Sequence, residues 1–413
     1  MTDSIKLDLD YVRAQFPEAC WDWAFFENAG GAFVPESVIR RMTSYMSECQ
    51  VQPGYPFPLS HKAQERIDLG HHLMADMIGA DGDEVVISAS TSINVYVLAQ
   101  ALRPLWQAGD EIIITNLNHE ANSGAWRRLA EFGLKIVEWP VHPDTGQLEI
   151  DLLDRLLSEK TRLVAFPHVS NITGDINDVV QITDKVHAAG AMVCVDGGAY
   201  APHRHVDVKA WDVDFYLFSF YKVFGPHMGC LYGKRARLVE ATNQYHYFIA
   251  NDDTTHKLNP AGPNHESIAA LAGIADYFDA LAVHHFPSSS NTLFDRVGSV
   301  YEIASRHEEV LAGKFVDFIT SKPGVRLLGR QTGDREARCA TFGFTSDRLA
   351  SAEIAGLVGA HKVAIANGNF YANRLLEALG IADIEDGVVR CSMAHYNTED
   401  EVDQLIRVLD SIL

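Results

Sequence analysis

Two residues of this chain combine a reactive side chain with a telling position. Asp196 closes the apolar run "AMVCVD" at 191–196, and Lys222 follows the apolar run "DFYLFSF" at 214–220. Each sets a charge at the end of what reads as a buried strand, where an unpaired ion is costly. Joined directly, the two would form a structural salt bridge. Separated by a pyridine ring, they would hold pyridoxal 5'-phosphate, with Asp196 on the ring nitrogen and Lys222 on the aldehyde carbon. An apolar, cation-rich setting suits the second arrangement, because it lowers a lysine pKa from about 10.4 and frees the amine as a nucleophile.

Three further stretches point the same way. "SASTSIN" puts Thr91 and Ser92 at a helix start, where free N–H groups and the helix dipole suit a phosphate; a lone Ser or Thr there more often only caps the helix. "NLNHEANSG" puts His119 after a strand, its flat imidazole matched to a pyridine face, although a single histidine is more often structural. "VSNITG" offers Asn171 to a ring hydroxyl, with an Asx-turn as the plain alternative. Each signal is weak alone, and together they indicate one cofactor. Competing motifs fail: there is no GxxxxGK[ST], no GxGxxG after a strand and no G-x-S-x-G.

Such residues need a scaffold that gathers strand ends. Apolar runs at 84–90, 110–116, 134–140, 161–170, 191–196, 214–220 and 228–233 alternate with amphipathic stretches at 92–102, 122–132 and 178–189. That alternation predicts an α/β fold around a mostly parallel sheet covered on both faces, with ligands at the carboxyl ends of its strands. Beyond about residue 263, long helices give way to short strands within 325–329, 339–345, 362–368 and 388–394, between helices at 351–360, 371–379 and 398–413. A smaller α+β domain is expected there. The expected division is an N-terminal segment 1–30, a large domain 31–263, and an interdomain helix with the small domain over 264–413.

Composition narrows the function. The 413 residues carry a net charge of −21 without a basic stripe, so a nucleic-acid partner is not expected. No apolar run is read as a membrane span, and the polar start predicts a cytoplasmic protein without a targeting segment. The six cysteines lack CxxC spacing and the 18 histidines form no ligand set, so neither a disulfide framework nor a metal site is expected.

These residues carry a family resemblance. From "FFENAGGAFVP" to "VVRCSMAHYNTEDEVDQL" the chain resembles the class V aminotransferases, pyridoxal-phosphate enzymes of fold type I, and most closely their cysteine desulfurase and selenocysteine lyase branch. The most specific stretch is "VDGGAYAPHRHVDVKAWDVDFYLFSFYKVFGPHMGCLYG". The resemblance implies that Lys222 is the Schiff-base lysine and Asp196 the partner of the ring nitrogen. It implies that His119 stacks on the ring, that Asn171 meets the ring hydroxyl or the substrate carboxylate, and that Thr91, Ser92 and Ser219 hold the phosphate. Arg390 would clamp the α-carboxylate of an amino-acid substrate, a task suited to a bidentate guanidinium. Asn28 and Ala29 would line the substrate side, and a homodimer is implied.

Four positions depart from that pattern. Tyr371, in "IANGNFYANRLLEALG", stands where the desulfurases carry their cysteine, and a phenol cannot accept sulfur as a thiolate does. Phe370 and Tyr371 suggest an aromatic wall toward the substrate. Ala199 replaces a glutamine, and Tyr221 replaces a histidine while keeping a hydroxyl for the phosphate. Gly262 in "NPAGPNHE" replaces a partner-subunit phosphate threonine, leaving Asn264 or His265 for that contact. The expectation is a β-eliminating, C–S-type lyase that does not form a persulfide. Alternatives are a class V aminotransferase, a desulfurase or selenocysteine lyase using another thiol, and a non-catalytic protein of this fold.

Overall fold

The computed structural model describes residues 5–287 and 292–413. The chain enters through a two-residue strand, β1 (Ala24–Phe25). A seven-stranded sheet follows, made of β2 (Val85–Ser88), β3 (Glu111–Thr115), β4 (Lys135–Trp139), β5 (Thr161–Pro167), β6 (Met192–Asp196), β7 (Phe215–Ser219) and β8 (Gly229–Gly233). Their spatial order is β2-β8-β7-β6-β5-β3-β4. Only β8 runs against its neighbours β2 and β7. The connection from β7 is too short for the crossover that a parallel strand needs, so the chain doubles back.

Alternation along the strands makes two cores. Ile113, Val164, Val193 and Tyr216 face one side, and Ile112, Ile114, Ala165, Cys194 and Leu217 face the other. Helices Glu36–Glu48 and Pro58–Met77, which the strand pattern did not single out, pack on helix His265–His285. A Cβ on Gly70 would meet the Ile268 carbonyl oxygen at 1.9 Å, so glycine there permits the close approach.

A second sheet collects β9 (Val325–Leu327), β10 (Thr341–Ser346), β12 (Ala366–Gly368) and β13 (Val388–Ser392), while β11 (Val363–Ala364) pairs parallel with β1. Helices Leu293–Thr320, Ser351–Gly359 and Glu399–Ile412 cover it with Phe315, Ile354, Val358, Val402 and Leu405.

Three expectations change. The helix read over 122–132 is two 3₁₀ turns flanking the short helix Gly124–Arg127, because buried Asn122 gives its amide to the Phe166 and Cys194 carbonyls. The strand read over 362–368 divides between two sheets. Among the described residues one helix, His265–His285, is long and apolar enough to cross a membrane, contrary to the reading of no such run; its apolar side chains, from Ile268 to Leu281, lie in the core.

Candidate active site

The carboxyl ends of the parallel strands open on one cleft enclosing about 570 Å³, mouth included. Thr91 and Ser92 follow β2, His119 follows β3, Asn171 follows β5, Asp196 ends β6, and Ser219, Tyr221 and Lys222 follow from β7. All eight line it.

Lys222 closes the 3₁₀ turn Phe220–Lys222, and its ammonium has no hydrogen bond or ion pair among the described residues. Burial, reinforced by the positive charge of Arg390, lowers its pKa to about 8. The carboxylate of Asp196 accepts from the Gly198 N–H at 2.8 Å, but burial still raises its pKa. A cation beside it would remove that penalty. Imidazole Nδ1 of His119 accepts from the Ala121 N–H at 3.1 Å, which places the ring proton on Nε2. Burial, then repulsion from Lys222 and Arg390, lowers its pKa to about 3, so the ring is neutral.

At the other end of the cleft, helix Thr91–Leu102 presents its N-terminus. Ser90 Oγ satisfies the Ile93 N–H, and the Thr91 and Ser219 hydroxyls share a 2.7 Å hydrogen bond. The first-turn N–H groups of Thr91 and Ser92 have no intrahelical acceptor. Tyr221 stacks on His227 with centroids 4.7 Å apart.

Arg390, on β13, adjoins this cavity. Its Nη1 donates to the Asn171 carbonyl at 3.3 Å, its Nη2 pairs with Glu27, and its guanidinium carbon lies 3.7 Å from the centre of the Phe370 ring. The Asn171 amide donates to the Phe370 carbonyl at 3.0 Å, leaving its buried Oδ1 without a partner. Tyr371 is exposed, its ring centre 5.4 Å from that of His119.

One expectation shifts here. The Asn28 side chain does not line the cleft: it donates to the Ser392 carbonyl at 2.7 Å and accepts from the Tyr396 hydroxyl, and the Ala29 N–H goes to Ser392 Oγ. They tie the N-terminal segment to β13. Asn264 caps helix His265–His285, accepting from the Ser267 N–H, and lies outside this chain's cavity. Sequence reasoning placed the stretches 88–92 and 196–199 on this edge, and missed Glu27 and the wall residues Pro167 and Val169. The stretch "AFFENAGG" sets an acid among apolar residues, but only the bridge from Glu27 to Ser392 gives that acid a role.

The donor set fits pyridoxal phosphate. Asp196 and Lys222 feel each other's charge but make no direct ion pair among the described residues, a neutral flat imidazole forms one wall, an Asn oxygen is unpaired, and a helix N-terminus supplies an anion seat.

The class V aminotransferase family model matches residues 24–405. "Aminotransferase-like protein FGM3" of Gibberella zeae is 36% identical over 99% of this chain and 100% of its own length. "Cysteine desulfurase-like protein ustD" of Aspergillus flavus is 35% identical over 98% of this chain and 91% of its own. The crystal structure of the Escherichia coli cysteine desulfurase CsdA superposes with a TM-score of 0.81 at 25% identity, covering 98% of each chain.

Proposed function

This chain is a pyridoxal-phosphate-dependent enzyme of the class V aminotransferase family, and on that premise we propose that it is a C–S-type lyase, expelling a leaving group from the β-carbon of an α-amino acid. The observation that carries this reading is the pairing of an uncommitted amine with a wall that holds no thiol. No cysteine lines the cleft. Cys49, Cys194, Cys230, Cys339 and Cys391 are buried, and burial pushes up the thiols of Cys194, Cys230, Cys339 and Cys391; Cys20 is half-buried in the N-terminal segment and also raised. Sulfur transfer to the protein needs a thiolate, so these environments favour release of the leaving group over its capture.

Bound here, the cofactor supplies an electron sink for a carbanion at the substrate α-carbon. Asp196 keeps a positive charge on the ring nitrogen favourable. His119, neutral, packs against the ring without adding charge. Thr91, Ser92, Ser219 and Tyr221 seat the phosphate. Arg390 takes the substrate α-carboxylate and so fixes which bond at Cα is broken. Lys222, the amine that faces the cleft, would act as the general base at the Cα proton. The group lost from Cβ would leave through the open mouth of the cleft.

We also propose a homodimer, supported by the position of Asn264 outside its own chain's cavity and by the bare aromatic rings of Tyr247 and Phe248.

The test is the absorbance of the purified protein with and without Lys222→Ala, followed by an amino-acid panel scored for keto acid, ammonia and sulfide. Ammonia and keto acid released without an acceptor support elimination. Keto acid formed only with an added acceptor keto acid indicates an aminotransferase instead. Sulfane sulfur would identify a persulfide-forming enzyme and overturn the reading.

A further inference from the structure

The guanidinium of Arg390 is already engaged by a carboxylate of this chain. Glu27 reaches it from the segment after β1, and the placement is built from several directions. Glu27 bridges in parallel register to Ser392, two residues beyond Arg390 on the same strand. A Cβ at position 30 would lie 1.9 Å from Glu27 Oε2, so Gly30 leaves the room the carboxylate occupies. One guanidinium face is covered by Phe370 at 3.7 Å. The Arg390 side chain is 4% exposed, whereas that of Glu27 is 24% exposed and has a route to water.

The engagement is incomplete. Glu27 meets Arg390 through one oxygen and one nitrogen, Nη2. Nη1 makes a 3.3 Å bond to the Asn171 carbonyl, and the buried Nε has no partner. A guanidinium carries five N–H donors in a planar fork that matches a carboxylate two at a time. Glu27 therefore neutralises the buried cation without filling its donor capacity.

We propose that Glu27 is a resident carboxylate that the substrate α-carboxylate displaces, so that ligands enter by exchanging one carboxylate for another at Arg390. This rests on the reading of Arg390 as the substrate clamp. The incoming group gains a two-point contact that Glu27 lacks, and Glu27 swings to water. The exchange keeps one negative charge at Arg390 throughout, so the buried cation is never left bare. Glu27 also sets specificity: a neutral group in place of the carboxylate cannot compensate Arg390 and cannot evict it.

The test uses ligand-observed NMR on the cofactor-loaded protein, with propionate as the carboxylate probe and propionamide as its neutral control. Neither carries an amine, so neither reacts with the cofactor. Glu27→Gln keeps the shape and removes the charge; propionate binding should tighten about tenfold while propionamide does not change. Glu27→Asp, which draws the carboxylate back by one methylene, should also tighten propionate and guards against a fold defect in the first variant. Arg390→Gln should weaken propionate and abolish the effect of Glu27→Gln in the double variant. If Arg390→Gln weakens propionate but Glu27→Gln leaves it unchanged or weaker, Arg390 binds carboxylates without exchange and this inference alone fails. If Arg390→Gln leaves propionate unaffected, the clamp reading fails and takes the inference with it.

Discussion

At the scale of single residues, protonation governs what the cleft can do. Only the neutral amine of Lys222 can attack an aldehyde, and its pKa lies at about 8, below the ordinary 10.5, because the charge is buried beside Arg390. Uptake of pyridoxal phosphate by the cofactor-free protein should therefore speed up as pH rises through about 8 and level off by about pH 9, followed by absorbance in stopped flow. The same shift bears on folding. Between about pH 8 and 10.5 the unfolded chain holds the lysine proton more tightly than the folded one, so cofactor-free stability should rise with pH across that window. Asp196→Asn removes the charge facing the ring nitrogen and should lower turnover on the order of 100-fold. Asp196 and Lys222 could be read from the sequence because a charged type at the end of an apolar strand is rare without a reason. Glu27 could not, since its meaning arises only when the N-terminal segment bridges to β13, more than 360 positions away.

At the scale of elements, the phosphate seat depends on how closely β8 approaches the start of helix Thr91–Leu102. A Cβ at Gly229 would lie 2.3 Å from the Ser90 carbonyl carbon and 2.4 Å from the Thr91 nitrogen. Gly229→Ala must push that turn aside, with an expected loss of about 1–3 kcal/mol in denaturant unfolding and weaker cofactor retention. The loop over the cleft has the opposite character. Phe370 and Tyr371 both adopt left-handed backbone angles, φ 48° and 57°, which cost a bulky residue about 1–2 kcal/mol each. Tyr371→Gly removes an exposed ring and relieves one of these, so it should raise stability by about 0.5–1 kcal/mol, measured by the same unfolding. The strands of the large sheet were legible because their apolar runs are continuous. The turns at 120–132 were not: their amphipathic pattern is helical, and the departure comes from Asn122, whose amide bonds to carbonyls of β5 and β6.

At the scale of the molecule, a net charge of −21 opposes self-association at low salt, so contact between copies must rest on apolar surface. Tyr247 and Phe248 are 96% and 68% exposed in the segment that leads to helix His265–His285. The double variant Tyr247→Ser/Phe248→Ser should shift the proposed dimer toward monomer by light scattering, most clearly in dilute buffer. The parts of the cleft also come from widely separated stretches of chain. The phosphate seat closes on the Thr91–Ser219 bond, 128 positions apart, whereas the carboxylate clamp closes on Glu27 and Arg390, 363 apart. The seat thus joins two stretches of the large sheet, whereas the clamp fastens the segment after the first strand of the chain to the last strand. Damage to either chain end should therefore reach the clamp before it reaches the phosphate seat.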